Sequence, residues 1–475
     1  MMSTTRVTAN TRLICGRDWD GNIQKLEDTE ISSNDVCSLV IRETDLDDDE
    51  IDSIVDLLSN VTVDIIHLED CWARNTDQST IRLVVALGNC RDVRVSGSTF
   101  LSKSFLESFL KSATQLKRLQ IWDHLLVDQV EALSRGIASN RLLHTLDLSR
   151  SCIDDFFSLI EGLRGGCIKV LRLRSIGLQD RHLKKMLTAL VSPLLAPTMT
   201  ASQSSLSSSS TPPLSSFSPS PTNAARTTLE SLDISFNRLR NLDHIGKFLK
   251  RSDCNLKELF IGYQNLWQPS RNGGNIDISA ITDALLHNAR LIVLRLPRNE
   301  LDDSDAIQFA TALAENKTLE SLDLSENNIH DKGVIALAET TRESRALKEL
   351  NLKGNPFGSR ASLALLDAAT KNHNLFFLGD DDEDESDNDN DTTDEQGAIH
   401  SQIRYQTALN RGGRKLFSQG HNENSRSKFV PLGLWPLVLE RQTSENKWEG
   451  SIYDSMRLDV LYYSLREGST TFFCR

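Results

Sequence analysis

One spacing of apolar residues recurs near the end of this chain with almost no drift, and it constrains everything around it. In LESLDLSENNI, the residues Leu319, Leu322, Leu324, Asn327 and Ile329 make up the frame LxxLxLxxNxL. The frame returns 28 residues later as Leu347, Leu350, Leu352, Asn355 and Phe357, and stands 28 residues earlier as Leu291, Leu294, Leu296, Asn299 and Leu301. Side chains two apart share a face of a strand, so the middle apolar residues of each frame point inward together from one short strand. The Asn is then placed to hydrogen-bond backbone groups of the next turn. A period this regular stacks each copy on its neighbour.

Further copies begin at 256, 229, 168, 143, 116, 90, 63 and 36. Two steps are long, 61 residues after 168 and 35 after 256; each is one repeat plus an insertion of about 34 or about 8 residues. A half-motif from Leu375 to Leu378 closes the run. The early copies keep the apolar frame but carry Thr44, Cys71 and Ser98 at the Asn position. Between frames lie helical stretches such as DAIQFATALAEN, where Ile307, Ala310, Leu313 and Ala314 predict one apolar face. Asp302, Asp303 or Ser304 supplies its N-cap and Asn316 its stop. The implied fold class is α/β: a leucine-rich repeat solenoid, horseshoe-shaped, with a parallel inner sheet, outer helices and about eleven repeats.

The domain organisation places an N-terminal segment or cap at 1–35 and the array at 36–378. Within the array, 192–226 is Ser/Pro-rich and reads as a disordered insertion. An acidic disordered linker comes next at 379–397; residues 380–395 hold 11 acidic side chains and no basic one. The remaining stretch, 398–475, is a tail or cap with short helices. In it Leu458, Leu461, Tyr462 and Leu465 make an amphipathic face that either covers the end of the solenoid or docks a partner.

The opening MMSTTRVTAN is polar, which gives no secretory signal, and no apolar run nears the roughly 20 residues that span a bilayer. Eight cysteines are scattered without CxxC pairs, so a reducing compartment is expected, with Cys37, Cys90 and Cys167 as buried thiols. The expectation is a monomer in the cytoplasm or nucleus, bound to no membrane. Phosphate-loop, dinucleotide and HExxH motifs are absent from the sequence, and no metal-ligand cluster shows in its spacings. His67 and Cys71 are four apart, but the frame sends the imidazole outward and the thiol inward, so they do not form a nucleophile pair. No enzyme, no cofactor and no metal are therefore expected.

What the frame does supply is a surface. Its outward column runs through Asp147, Arg172, Asp233, Phe260, Arg295 and Asp323, flanked by Trp122 and Arg174. These eight are the expected partner-binding residues of the concave face, with Trp122, Arg172, Arg174, Phe260 and Arg295 the strongest because aromatics and arginines dominate interface energetics. The mixed charge of the column argues against nucleic acid.

The run LIVLRLPRNELDDSDAIQFATALAENKTLESLDLSENNIHDKGVIALAETT resembles the ribonuclease-inhibitor-like class of leucine-rich repeats. The likeness is specific across 229–378 and weaker across 36–191. It implies a non-catalytic protein–protein interaction scaffold whose partner is a protein. The outline, repeats followed at once by an acidic run, is also similar to that of the Ran GTPase-activating proteins. That resemblance implies an alternative: a regulator of a small GTPase with an Asn or Arg acting from the strand-to-helix rim of the early repeats. The Trp-containing C-terminal stretch departs from that outline.

Overall fold

The computed structural model describes residues 12–17, 23–24, 37–42, 45–46, 48–60, 63–73, 77–97, 101–191, 228–264, 276–379 and 394–411. The chain divides into two compact units. One comprises Met1–Ile176, Arg181–Glu230 and Ser252–Asn255, the other Gly177–Asp180, Ser231–Arg251 and Leu256–Arg475.

In the first unit the strands Arg12–Arg17, Cys37–Arg42, Val63–Glu69, Asp92–Ser96, Arg118–Trp122, Thr145–Asp147 and Val170–Arg172 pair in parallel in chain order. Ile23–Gln24 adds an antiparallel partner to the first of them. The register pairs Leu39 with Ile66, Ile66 with Val93, Val93 with Leu119, Leu119 with Leu146 and Leu146 with Leu171, which is the frame read from the sequence. All six side chains are buried. Each contributes about 1.5–3 kcal/mol by leaving water. Parallel strands need a crossover, and helices such as Asp48–Asn60, Asp77–Leu87, Lys103–Ser112, Val127–Ser139 and Phe156–Gly165 supply it.

The second unit repeats the plan with the parallel strands Ser231–Asp233, Glu258–Phe260, Val293–Arg295, Ser321–Asp323, Glu349–Asn351 and Phe377–Gly379. Helix Asp303–Glu315 is capped by Asp302, whose carboxylate accepts from the N–H groups of Ser304 and Asp305 while Asp305 reaches back to the Asp302 N–H; Asn316 ends it. Its inner face differs from the one expected. Ala306, Phe309, Ala310 and Leu313 are buried, whereas Ile307 is 45 % exposed and Ala314 is exposed. The buried set falls at i, i+3, i+4 and i+7, the true helical stripe, and the expected set drifted off it.

The motif Asn does more than cap its own turn. Asn327 Nδ2 donates to Leu324 O at 2.8 Å in its own repeat and to Leu296 O at 3.0 Å in the preceding one, and Oδ1 accepts from Asn299 N and Leu301 N of that same neighbour. Cys71 takes the same seat, its Sγ 3.5 Å from Ile41 O and from Glu69 O. Ser151 Oγ likewise donates to Ile121 O at 2.7 Å. A second Asn ladder ties the helix ends together: Asn288 Nδ2 donates to Leu249 O, Asn316 Nδ2 to Leu285 O and Asn288 O, and Asn372 Nδ2 to Thr341 O and Ser344 O.

A helix that sequence periodicity did not place, Asp394–Arg411, is the last described element of this unit and packs on helix Ser359–Lys371 and strand Phe377–Gly379. Ile399, Ile403 and Leu409 are buried, and His400 lies 3.1 Å from Ser362 Oγ. Asn410 extends the second ladder by donating to Ala369 O, Asn372 O and Leu375 O at 2.9–3.0 Å. The 192–226 insertion, the run 380–393 and the stretch containing GLWPLVLE and LYYSLRE lie outside the described residues.

Candidate functional site: the outward strand face and its rim

The strand register lays the outward side chains in lines. In the first unit Val40, His67, Arg94, Gln120, Asp147 and Arg172 stand side by side. Arg172 Nη1 is 3.7 Å from Asp147 Oδ2, and Arg94 and Arg118 both reach the Asp92 carboxylate, at 2.9 and 3.3 Å. Trp122 is 36 % exposed and meets the His67 ring edge-on at 6.4 Å. Arg174 is exposed, and its carbonyl accepts from Arg150 N. In the second unit the line is Asp233, Phe260, Arg295, Asp323 and Asn351. The Arg295 guanidinium sits 5.1 Å from the Phe260 ring centroid, a cation–π pair with both side chains half-buried.

The acidic members of these lines behave differently from solvated strand residues. Asp147 is 7 % exposed and Asp323 5 %. Each accepts from the residue two further on: Asp147 from Ser149 N, Asp233 from Ser235 N, and Asp323 from both the N–H and the hydroxyl of Ser325. Asp-x-Ser at the strand end is thus a turn-forming unit as well as part of a surface.

A second line was not visible in the sequence frame. The residue just before each motif Asn, or before Gln264 in its place, is left-handed: φ is 60° at Phe236, 60° at Tyr263, 52° at Arg298, 53° at Glu326 and 72° at Gly354. Bulky side chains rarely adopt this backbone. The reason here is pairing: Phe236 N donates to Gly262 O, Tyr263 N to Pro297 O, Arg298 N to Ser325 O and Glu326 N to Lys353 O. The side chains so displayed form a ladder. Phe236 and Tyr263 stack at 4.2 Å with planes 7° apart, Arg298 lies 5.4 Å from the Tyr263 centroid, and Glu326 pairs with Arg298 and accepts from Tyr263 Oη. Burial, then the nearby Glu326 carboxylate, raises the Tyr263 phenol above its ordinary pKa. The position recurs with the repeat period, but it carries no common residue type that a motif could register.

Cys71 and His67 point apart, as the frame requires: Cys71 is buried in its turn, while His67 Nε2 faces Ser96 Oγ at 3.3 Å. Cys90 is also buried, and burial with the Asp64 charge pushes its thiol up to about 12, so it stays protonated. Cys167 differs from expectation: it is only half-buried, with Arg141 Nη1 3.7 Å from its sulfur. Among the described residues no helix is long and apolar enough to cross a membrane.

The strand–helix alternation and its Asn ladders define a leucine-rich repeat fold, and the family described as a leucine-rich repeat matches residues 315–338. No curated protein matches the chain. Among solved structures, the chain is similar to actin-binding site 2 of leiomodin-1, with 22 % identity over 32 % of this chain and 83 % of that one and a TM-score of 0.26. It is similar to the tropomodulin C-terminal domain of Caenorhabditis elegans, with 16 % identity over 37 % and 98 % and a TM-score of 0.29. An internalin of Listeria monocytogenes shares 15 % identity over 82 % and 88 %, with a TM-score of 0.40.

Proposed function

We propose that the protein is a non-catalytic binding scaffold that recognises a protein partner on the outward strand face. The observation carrying this reading is the Phe260–Arg295 pair, an aromatic and an arginine held together on that face by strands whose register the buried leucines fix. The register that places both is fixed by the buried leucines Leu259 and Leu294, and both residue types dominate interface energetics. The resemblance to ribonuclease-inhibitor-like proteins, which are binding proteins, supports the same reading.

Partner capture with the intact chain, followed by affinity measurement on Phe260→Ala with Arg295→Ala, tests it. Binding should weaken by more than about 2 kcal/mol with the melting temperature unchanged. A parallel chain ending at Arg411 keeps the capping helix and removes only residues 412–475. Should the double variant bind normally while that truncation abolishes binding, recognition belongs to the C-terminal stretch and this reading fails. GTPase activation is the alternative; a described Arg on the strand-to-helix side is Arg150, exposed and left-handed three residues after strand Thr145–Asp147 in the fifth copy. Faster GTP hydrolysis by small GTPases with the wild-type chain, lost in Arg150→Ala, would favour it instead.

A further inference from the structure

We propose that His124, Cys152 and Asp154 in the first unit form a binding site for a zinc-class divalent ion. Cys152 and Asp154 stand 28 and 30 positions after His124, about one repeat, so the three come together only through the register. That is why no local spacing in the sequence marks them as ligands. His124–Leu125 pairs in parallel with Cys152–Ile153, setting His124 opposite Cys152. The imidazole nitrogen, the thiol sulfur and a carboxylate oxygen all lie within 4.8 Å of one another, and all three residues are exposed. His124 Nε2 and Asp154 Oδ1 already stand 2.9 Å apart.

These distances suit the ion. With bonds of about 2.0–2.3 Å in a tetrahedron, ligand atoms stand roughly 3.3–3.7 Å apart, so side-chain rotations on the order of an ångström complete the set. The backbone carrying them is fixed. Cys152 N donates to Asp123 O, Asp154 N to Leu125 O, Asp123 N to Ser151 Oγ, and Ser151 Oγ to Ile121 O, with Leu125 and Ile153 buried beneath. Positions held this way keep ligands near their productive geometry. A thiolate with an imidazole selects zinc-like ions over magnesium or calcium, and three protein ligands leave the fourth position to water. The neighbouring Asp155 is committed elsewhere, capping helix Phe156–Gly165. An exposed His–Asp pair alone contributes little to stability, so stability does not account for the cluster.

Among the described cysteines Cys71, Cys90 and Cys254 are buried and Cys152 is exposed, and the Cys152→Ser variant assigns the thiolate signature. Titration of the full-length, reduced protein with Co²⁺ should give a near-ultraviolet thiolate charge-transfer band and a tetrahedral visible band at one ion per chain, both displaced by Zn²⁺. Cys152→Ser should abolish the charge-transfer band, and His124→Gln and Asp154→Asn should each weaken Zn²⁺ binding at least tenfold, while Cys167→Ser changes nothing. Zn²⁺ should also raise the melting temperature of the wild type but not of Cys152→Ser, since a ligand binding only the folded state stabilises it. A band that survives Cys152→Ser, or Zn²⁺ affinities within twofold of wild type in all three site variants, overturns the proposal. Circular dichroism of each variant separates loss of the site from loss of the fold.

Discussion

Asp323 faces outward by register yet is buried, because its carboxylate closes the turn onto Ser325. Asp323→Ser should therefore cost about 1.5–3 kcal/mol in urea unfolding, the scale of hydrogen bonds to a charged group. Leu322→Ala, next to it and inward, should cost roughly 2–5 kcal/mol through the cavity it leaves. Equal losses at the two sites would mean that the inward row does not dominate the core. Cys90 gives a pH-dependent counterpart. Its thiol ionises near 9.0 when unfolded and is pushed up to about 12 in the fold. Its contribution is fully present below pH 9 and declines as pH rises through the folded value, because only the unfolded state gives up the proton in that window. Replacing it with Ala should flatten the alkaline fall in stability by up to about 1.4 kcal/mol per pH unit; an unchanged slope in Cys90→Ala would refute this.

Single elements carry the next level, and helix Asp394–Arg411 is the most instructive. It is the last described element of the second unit and occupies the seat of the helix-end Asn ladder, with Asn410 serving three carbonyls at once. Asn410→Ala leaves those carbonyls short of a donor and should cost about 1–3 kcal/mol. Hydrogen exchange should locate the damage at strand Phe377–Gly379 and helix Ser359–Lys371, because stacked repeats touch only their neighbours. Protection lost uniformly over the second unit would count against a capping role. The helix was hard to read for a physical reason: its buried face includes His400, Thr407 and Asn410 along with Ile399 and Ile403, so hydrophobic periodicity is weak. The acidic insertion also displaces Asn410 from the 28-residue grid on which Asn288, Asn316 and Asn372 fall.

At the scale of the molecule, the formal charge of −13 is concentrated in the acidic run of 380–395, which precedes the basic excess of 396–475. The run is expected to act on encounter with a charged partner and not on the packed repeats. Its effect on association rate should fade as salt rises past about 0.15 M, where screening is nearly complete beyond roughly 8 Å. A stopped-flow series in which association stays independent of salt would remove that role. The sequence alone determined the strand frame, the inward leucines, the outward line through Phe260 and Arg295, and the seats of Asn327 and its stand-in Cys71. It could do so because each follows from a period of two along a strand and about 28 along the chain. Tertiary structure alone decided which outward side chains are buried in turns, as at Asp147 and Asp323, and which rim residues stack, as Phe236 does on Tyr263. It also brought His124 to Cys152 and Asp154. These depend on backbone hydrogen bonds and side-chain geometry between neighbouring repeats, and no residue type or spacing within a single repeat records them.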